Sequence, residues 1–99
     1  MIESTKRKGY EHLTEEYIRL TYLDIPSHLV DGLLRFIHQK IRPGSFLVGI
    51  LANDLHTTIS HAHPTISIKD ITELCRFVQL ELNGIAGSWE EFDQYLKGK

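Results

Sequence analysis

The chain turns at Pro43-Gly44, between two stretches whose apolar residues recur at helical spacing, and this turn constrains the fold more than any other segment. Proline and glycine end the first stretch, which is predicted to be a helix from residue 28 to Ile41. Ser45 is of a residue type that caps helices, and a second helix is predicted from Phe46 to Ser60. Because the connection is short, the two helices are expected to pack antiparallel.

Residue types that cap helices mark the other predicted boundaries. Pro26 ends the segment before it, and Ser27 is predicted to cap the helix that follows. A further helix is predicted to start near Ser67 and to end at Asn83-Gly84, where both residue types tolerate a left-handed backbone. The last helix is predicted to start at Ser88. Both of these serines have an acidic residue three positions later, as in a capping box.

Residues 14–24 fit two kinds of element. Thr14 is a good N-cap and two glutamates follow it, which favours a helix. Ile18, Leu20 and Tyr22 alternate with polar residues, which is the pattern of a strand. We favour the helix and leave the strand open.

The whole pattern predicts an all-α fold. Residues 1–12 are polar and of mixed charge, and we expect a flexible N-terminal arm. Residues 13–99 are predicted to form a single helical domain, a compact bundle of four to five short helices. A chain of 99 residues buries a modest fraction of its surface, so self-association would add stability.

Charge and cysteine content exclude several classes of function. The 13 acidic and 11 basic residues give a net charge of −2, which disfavours a DNA-coating protein. The single cysteine, Cys75, excludes an internal disulfide framework, fits a reducing cytosol and is predicted to be a small buried hydrophobe. No apolar run approaches the roughly 18 residues that span a bilayer, and no signal peptide is recognisable, so we expect a soluble cytoplasmic protein.

The predicted helix start at Gly44-Ser45-Phe46 is a candidate anion site. The first amides of a helix lack partners within it, and glycine lets a ligand approach them. Lys40 and Arg42 lie nearby in the sequence, and a guanidinium group can bind a phosphate through two hydrogen bonds. The alternative is that the segment only connects two helices.

Three further residues are candidate ligand contacts. Asn53 and Asp54 interrupt the apolar pattern of the predicted helix over 46–60, and a buried polar group needs a partner. They are expected to face solvent, an interface or a ligand. Tyr10, in the predicted arm, is a candidate stacking platform for a nucleobase, with packing as the alternative.

Six histidines raise the question of a metal site. His56, His61 and His63 match no compact zinc spacing, and the motifs of nucleophilic enzymes are absent from the sequence. We therefore expect no metal, no cofactor and no catalysis.

Two runs and a late element form a distinctive pattern: Ile25-Pro26-x-x-Leu29-x-x-Gly32-Leu33-x-x-Phe36-Ile37, then Ile41-x-Pro43-Gly44-Ser45-Phe46-Leu47-x-x-Ile50-Leu51-x-Asn53-Asp54-Leu55, and later Gly87-Ser88 with Tyr95-Leu96. This pattern resembles that of a family of small phage and prophage proteins without an assigned activity. The resemblance covers about residues 25–96 and is most specific over 41–55. It implies a phage origin and a location in the host cytoplasm.

The chain departs from the family pattern at two places. It has Ile41-Arg42-Pro43 where Ile-Pro-Pro is commoner, and His61-Ala62-His63 where an acidic stretch is usual. Because of these differences, the resemblance does not imply that the chain binds the same partner as the rest of the family.

Together these observations predict a non-enzymatic phage protein that binds and sequesters an anionic nucleotide-type ligand, such as a host defence signalling nucleotide, as a small homo-oligomer. The alternative is a module that binds a host or phage protein, such as an enzyme, through its apolar helix faces. A metal-assisted hydrolase built on the histidines is the third, weaker hypothesis.

Overall fold

The computed structural model describes residues 10–98, and the chain in this range forms six helices. They are α1 (Glu15–Thr21), α2 (Ser27–Gln39), α3 (Ser45–Leu51), α4 (Leu55–Ser60), α5 (Ile68–Glu81) and α6 (Trp89–Lys97). The prediction of an all-α bundle is confirmed, with six helices in this range where four to five were predicted. None of these helices is both long enough and apolar enough to cross a membrane.

Four of the helices have a side-chain hydrogen bond at the N-cap, so residues next to each helix in the sequence determine where it begins. Thr14 caps α1, so the helical alternative for residues 14–24 is confirmed over Glu15–Thr21. Ser67 and Asp70 form the predicted capping box of α5. Ser88 caps α6 by accepting a hydrogen bond from the Glu91 amide. These caps satisfy amides that have no partner within the helix.

The starts of α2 and α3 differ from the prediction by one residue. Pro26 and Gly44 occupy the N-cap positions, and neither helix has a side-chain cap there. Ser27 and Ser45 are instead the first residues of their helices. Proline fixes a backbone angle that suits this position, and glycine is tolerated as an N-cap. The predicted capping roles of Ser27 and Ser45 are therefore wrong.

The single helix predicted from Phe46 to Ser60 is also wrong, because the chain breaks between α3 and α4. Asn53 has a left-handed backbone, with φ of 57°. Asp54 then caps α4 through the Thr57 amide. Gly49 lets α4 approach closely, since a Cβ added there would lie 2.6 Å from the Thr58 amide nitrogen.

The hydrophobic core is built mainly by α2, α3, α5 and α6. The Phe36 and Phe92 rings stack with their centroids 5.4 Å apart, which joins α2 to α6. Buried residues of the core include Leu33, Ile37, Leu51, Leu74, Phe77 and Leu82. Cys75 follows Leu74 but is exposed, so its predicted burial is wrong: it lies about 100° around the helix from Leu74, away from the core.

The predicted flexible arm falls largely on residues 1–9, which are outside the described range. Tyr10 is described and is half-buried, and its hydroxyl donates to the Asn83 carbonyl oxygen at 3.3 Å. The tyrosine is therefore packed against the end of α5.

Candidate functional site

The candidate site lies where the end of α2 and the segment 40–44 meet the start of α3. Lys40 and Arg42 do not converge on Gly44. Lys40 donates to the Gly98 carbonyl oxygen, and its ammonium lies 4.8 Å from the centroid of the Tyr95 ring. Lys40 therefore contacts α6 and the residue after it.

Arg42 lies between α6 and a cleft beside α2. Its guanidinium carbon is 5.4 Å from the centroid of the buried Phe92 ring, a distance at which a cation is attracted to the ring face. The residue is exposed and also lines the cleft. The guanidinium group therefore contacts the Phe92 ring on one side and is accessible to a ligand from the cleft on the other.

The cleft has a volume of about 320 Å³, and several charged side chains line it. Arg42 lines it together with Arg35, His28 and Asp31 of α2. Arg35 forms an ion pair with Asp31. We call this the cationic cleft, because two guanidinium groups outnumber one carboxylate.

Apolar side chains line the rest of the cationic cleft. Leu29 and Leu47 are contributed by α2 and α3, and Ile41 and Pro43 by the connecting segment. Gly44 leaves its rim open, since nothing lies within 4 Å of a Cβ added there. The cleft therefore offers an apolar wall beside positive charge, which suits a ligand with an organic part and an anionic group.

His28 and Arg35 were not predicted as site residues, although their spacing in the sequence places them on one face of a helix. Asp31 lies three residues after His28, and Arg35 four residues after Asp31, so all three lie on one face of α2. Helix α3 has only seven residues, which limits its macrodipole. The positive character of the cleft therefore comes from the arginines.

Ser45 and Phe46 line a neighbouring groove rather than the cationic cleft. The groove has a volume of about 350 Å³ and shares Leu29, Gly44 and Leu47 with the cleft. His61 lies on its far side. The two predicted residues are thus adjacent to the cleft, and a ligand larger than the cleft would reach them.

Asp54 is held in a structural network at the opposite end of α3. Its carboxylate accepts hydrogen bonds from the Thr57 amide at 3.0 Å, from the Thr57 hydroxyl at 2.9 Å and from the Trp89 indole nitrogen at 2.9 Å. These bonds, that from the Thr57 amide first, lower the pKa of the Asp54 carboxyl. Its donors are all within the protein, so the structure gives Asp54 a capping role.

Asn53 and Tyr10 do not join the cationic cleft either. Asn53 is exposed and lines a different cleft, beside α5. Tyr10 binds the backbone of Asn83, as described above. Of the eight predicted ligand residues, Arg42 and Gly44 line the cationic cleft, and Ser45 and Phe46 lie beside it.

A cluster of ionisable groups at the end of α5 was not predicted. The Glu81 carboxylate accepts hydrogen bonds from the hydroxyls of Tyr22 at 2.7 Å and Tyr17 at 2.8 Å, and from His12 Nε2 at 3.2 Å. Burial alone would raise the pKa of the Glu81 carboxyl, but the bonds from Tyr22, Tyr17 and His12 outweigh it and leave the pKa lowered.

The same cluster raises the pKa of both tyrosines. For Tyr22 the larger cause is burial, followed by the bond to Glu81. For Tyr17 the bond to Glu81 comes first. The cluster fastens α1 and the residues before it to α5. Glu81 lies 59 to 69 positions from its three partners, so no local pattern could have revealed the cluster.

Within residues 10–98 no three side chains of His, Cys, Asp or Glu lie close enough to hold a metal ion together. Comparison with models of protein families, with curated proteins and with solved structures finds no match to this chain.

Proposed function

We propose that this chain binds a small phosphate-bearing ligand of the nucleotide class in the cationic cleft, without catalysis. The observation that carries the proposal is that Arg35 and Arg42, from two different segments, line one cleft with an apolar wall. Guanidinium groups bind phosphate through paired hydrogen bonds, and the apolar wall offers contact to a base or sugar.

The balance of charge in the cleft favours an anion of low charge. Arg35 and Arg42 contribute two positive charges and Asp31 one negative charge, so these three side chains leave the cleft with a net positive charge. A phosphate entering the cleft competes with Asp31 for Arg35. Because the ion pair of Arg35 is exposed, its loss costs little.

The proposal includes a biological role that would suit the phage origin implied by the resemblance. A small homo-oligomer that binds a nucleotide tightly and does not convert it would lower the free concentration of a host defence signal in the cytoplasm. Sequestration needs affinity and abundance only, which suits a site without a nucleophile or a metal cluster among its described residues.

The proposal is tested by ligand-dependent melting. Melting temperature is measured with ATP, with a cyclic dinucleotide and with inorganic phosphate, for the wild type and for Arg42→Ala and Arg35→Ala. A ligand at about 100 times its dissociation constant adds about 2.7 kcal/mol to the free energy of unfolding. We expect at least one nucleotide to raise the melting temperature of the wild type, and both variants to lose most of that increase.

Arg19→Ala is the matched control. Arg19 is also exposed and also paired to a carboxylate four residues away, but it lies on α1 and does not line the cleft. Its variant should respond to ligand as the wild type does. If no nucleotide stabilises the wild type, or if both cleft variants respond fully, the proposal is wrong.

A second candidate function rests on α4. Leu55 and Ile59 are one turn apart on this helix and are 69% and 52% exposed. Exposed apolar side chains that lie together mark contacts with other proteins. On this alternative the chain binds a host or phage enzyme through α4, and Leu55→Glu would abolish capture of that protein while nucleotide binding is unchanged.

A further inference from the structure

A second cleft, lined by residues of α3, α5 and α6, shares no lining residue with the cationic cleft. It has a volume of about 420 Å³, within the range of sites for small molecules. Ile50 and Asn53 line it on one side, Cys75 and Val78 of α5 on another, and Glu91 of α6 on a third. We call it the amide cleft, because Asn53, Gln79 and Asn83, which carry carboxamide side chains, are among its lining residues.

Three carboxamides line the amide cleft, those of Asn53, Gln79 and Asn83. Each carries two N–H donors and one carbonyl acceptor, so together they can match a ligand that has both donors and acceptors. Their exposed ends are accessible, since all three residues are exposed. The cleft is therefore built for directional hydrogen bonds.

The charge of the amide cleft is opposite to that of the cationic cleft. Glu91 contributes an acidic side chain, and the described residues that line the cleft include no lysine, arginine or histidine. A phosphate would be repelled there. A carboxylate instead favours a partner with two adjacent N–H groups, which it binds through two parallel hydrogen bonds.

The carboxylate of Glu91 is available for such a partner. Its Oε1 atom is 3.5 Å from the Ser88 hydroxyl, at the outer limit of a hydrogen bond. Gly87 has φ of 119°, and a Cβ at this position would lie 3.3 Å from the same oxygen. The glycine thus keeps the backbone turned and leaves room beside the carboxylate.

We propose that the amide cleft binds a small planar molecule through an N–C–N donor edge, the group shared by guanine and by guanidinium compounds. Glu91 would accept the two N–H groups, and the carboxamides would pair with the remaining polar atoms. Val78 and Ala86 would contact the flat face. This site is independent of the proposed function, because the two clefts share no residue.

Cys75 makes the proposal testable, because the only thiol of the chain lines this cleft. Partial burial raises the pKa of the Cys75 thiol, so alkylation by N-ethylmaleimide is followed at mildly alkaline pH. The rate is measured alone and with guanosine, adenosine or methylguanidinium at millimolar concentration. We expect guanosine or methylguanidinium to slow alkylation several-fold and adenosine, which lacks the donor edge, to leave it unchanged.

The two probes distinguish the sources of the donor edge. Protection by guanosine alone identifies a nucleobase site, and protection by methylguanidinium alone identifies a guanidinium site. Glu91→Gln should remove the protection, because a carboxamide cannot accept two N–H groups from one partner in the same way. Glu90→Gln removes the same charge from the same turn of α6 but does not line the cleft, and should keep the protection.

A second variant guards against a general effect of the Glu91 substitution. Gln79→Arg places a guanidinium group inside the cleft, beside Glu91, where it would occupy the proposed site. It should abolish protection while circular dichroism shows the helical content of the wild type. Absence of protection by both probes in the wild type, or protection that persists in Glu91→Gln and Gln79→Arg, overturns the proposal.

Discussion

The indole nitrogen of Trp89 donates a hydrogen bond to the Asp54 carboxylate at 2.9 Å, which joins the start of α6 to the start of α4. The same junction is closed by the Gly87 amide, which donates to the Leu51 carbonyl oxygen at 2.7 Å. The two contacts hold the segment before α6 against the end of α3. They lie beside the break at Asn53, where the left-handed backbone and the Asp54 cap separate α3 from α4.

The Asp54 network predicts a loss of stability in acid. Because its hydrogen bonds lower the pKa of the Asp54 carboxyl in the folded state, the stabilisation is present above the unfolded pKa of about 4 and is lost as the pH falls through the lower folded value. Asp54→Asn keeps a capping side chain but does not titrate. Its melting temperature should lie below that of the wild type near neutrality, and the difference should shrink on acidification. A difference independent of pH would contradict this.

Two serines that look alike in the sequence are predicted to differ in their contribution to stability. Ser67→Ala removes half of a capping box and should lower the free energy of unfolding by about 1 kcal/mol. Ser45→Ala should change it by less than about 0.5 kcal/mol, because Ser45 is exposed and caps nothing. Urea denaturation of both variants measures this. An equal loss in the two would show that Ser45 does cap α3.

The capping serines also show what could be predicted from the sequence. A capping box depends on residues three positions apart, and the Ser67 box was found where the local pattern placed it. Ser45 was misplaced by one position because glycine and serine are both accepted as N-caps and no local signal separates them. Local signals thus located most helix starts to within a residue, but they did not predict the break between α3 and α4.

The rest of the site depends on contacts that are distant in sequence. The partners of Lys40 lie more than fifty positions later, at Tyr95 and Gly98. The cationic cleft needs Arg35 and Arg42 to meet across the end of α2, which only the packing of that segment determines. Arg42 and Gly44 line the cationic cleft, whereas Lys40 contacts α6 and the residue after it.

Removal of one tyrosine hydroxyl from the Glu81 cluster is predicted to lower the free energy of unfolding substantially. Tyr22→Phe removes a 2.7 Å hydrogen bond to a largely buried carboxylate and should lower the free energy of unfolding by about 2 kcal/mol. Tyr10→Phe is the control, since its hydroxyl makes an exposed bond of 3.3 Å and its loss should cost far less. Chemical denaturation distinguishes the two.

The raised pKa of Tyr22 predicts that the stability of the protein falls at alkaline pH. The pKa of Tyr22 is raised in the folded state, so its stabilisation is complete below the unfolded pKa of about 10 and is lost as the pH rises above it. Tyr22→Phe should therefore lose less stability between neutral and alkaline pH than the wild type does. Parallel curves for the two proteins would contradict the assignment.

Alanine is predicted to destabilise the protein at Gly49 and to leave its stability nearly unchanged at Gly44. A Cβ at Gly49 would lie 2.6 Å from both the amide nitrogen and the hydroxyl oxygen of Thr58, so Gly49→Ala should cost about 1–3 kcal/mol by forcing α3 and α4 apart. Gly44→Ala meets no atom within 4 Å. Its gain in unfolded-state entropy and its weaker N-cap should offset each other. Equal stability of the two variants would show that α4 can shift freely.

The exposed face of α4 leads to the prediction of self-association. Leu55 and Ile59 lie one turn apart and are both exposed, and such a pair is unfavourable in water unless another surface covers it. Sedimentation at micromolar concentration should therefore show a species heavier than the 11.4 kDa monomer. The double variant Leu55→Glu, Ile59→Glu should sediment as the monomer with unchanged helical content, because both side chains point away from the core. Leu80→Glu is the control: Leu80 is 63% exposed on α5, and its variant should still associate. A monomeric wild type would leave the α4 face without a self-contact, and dissociation by Leu80→Glu alone would place the contact on α5.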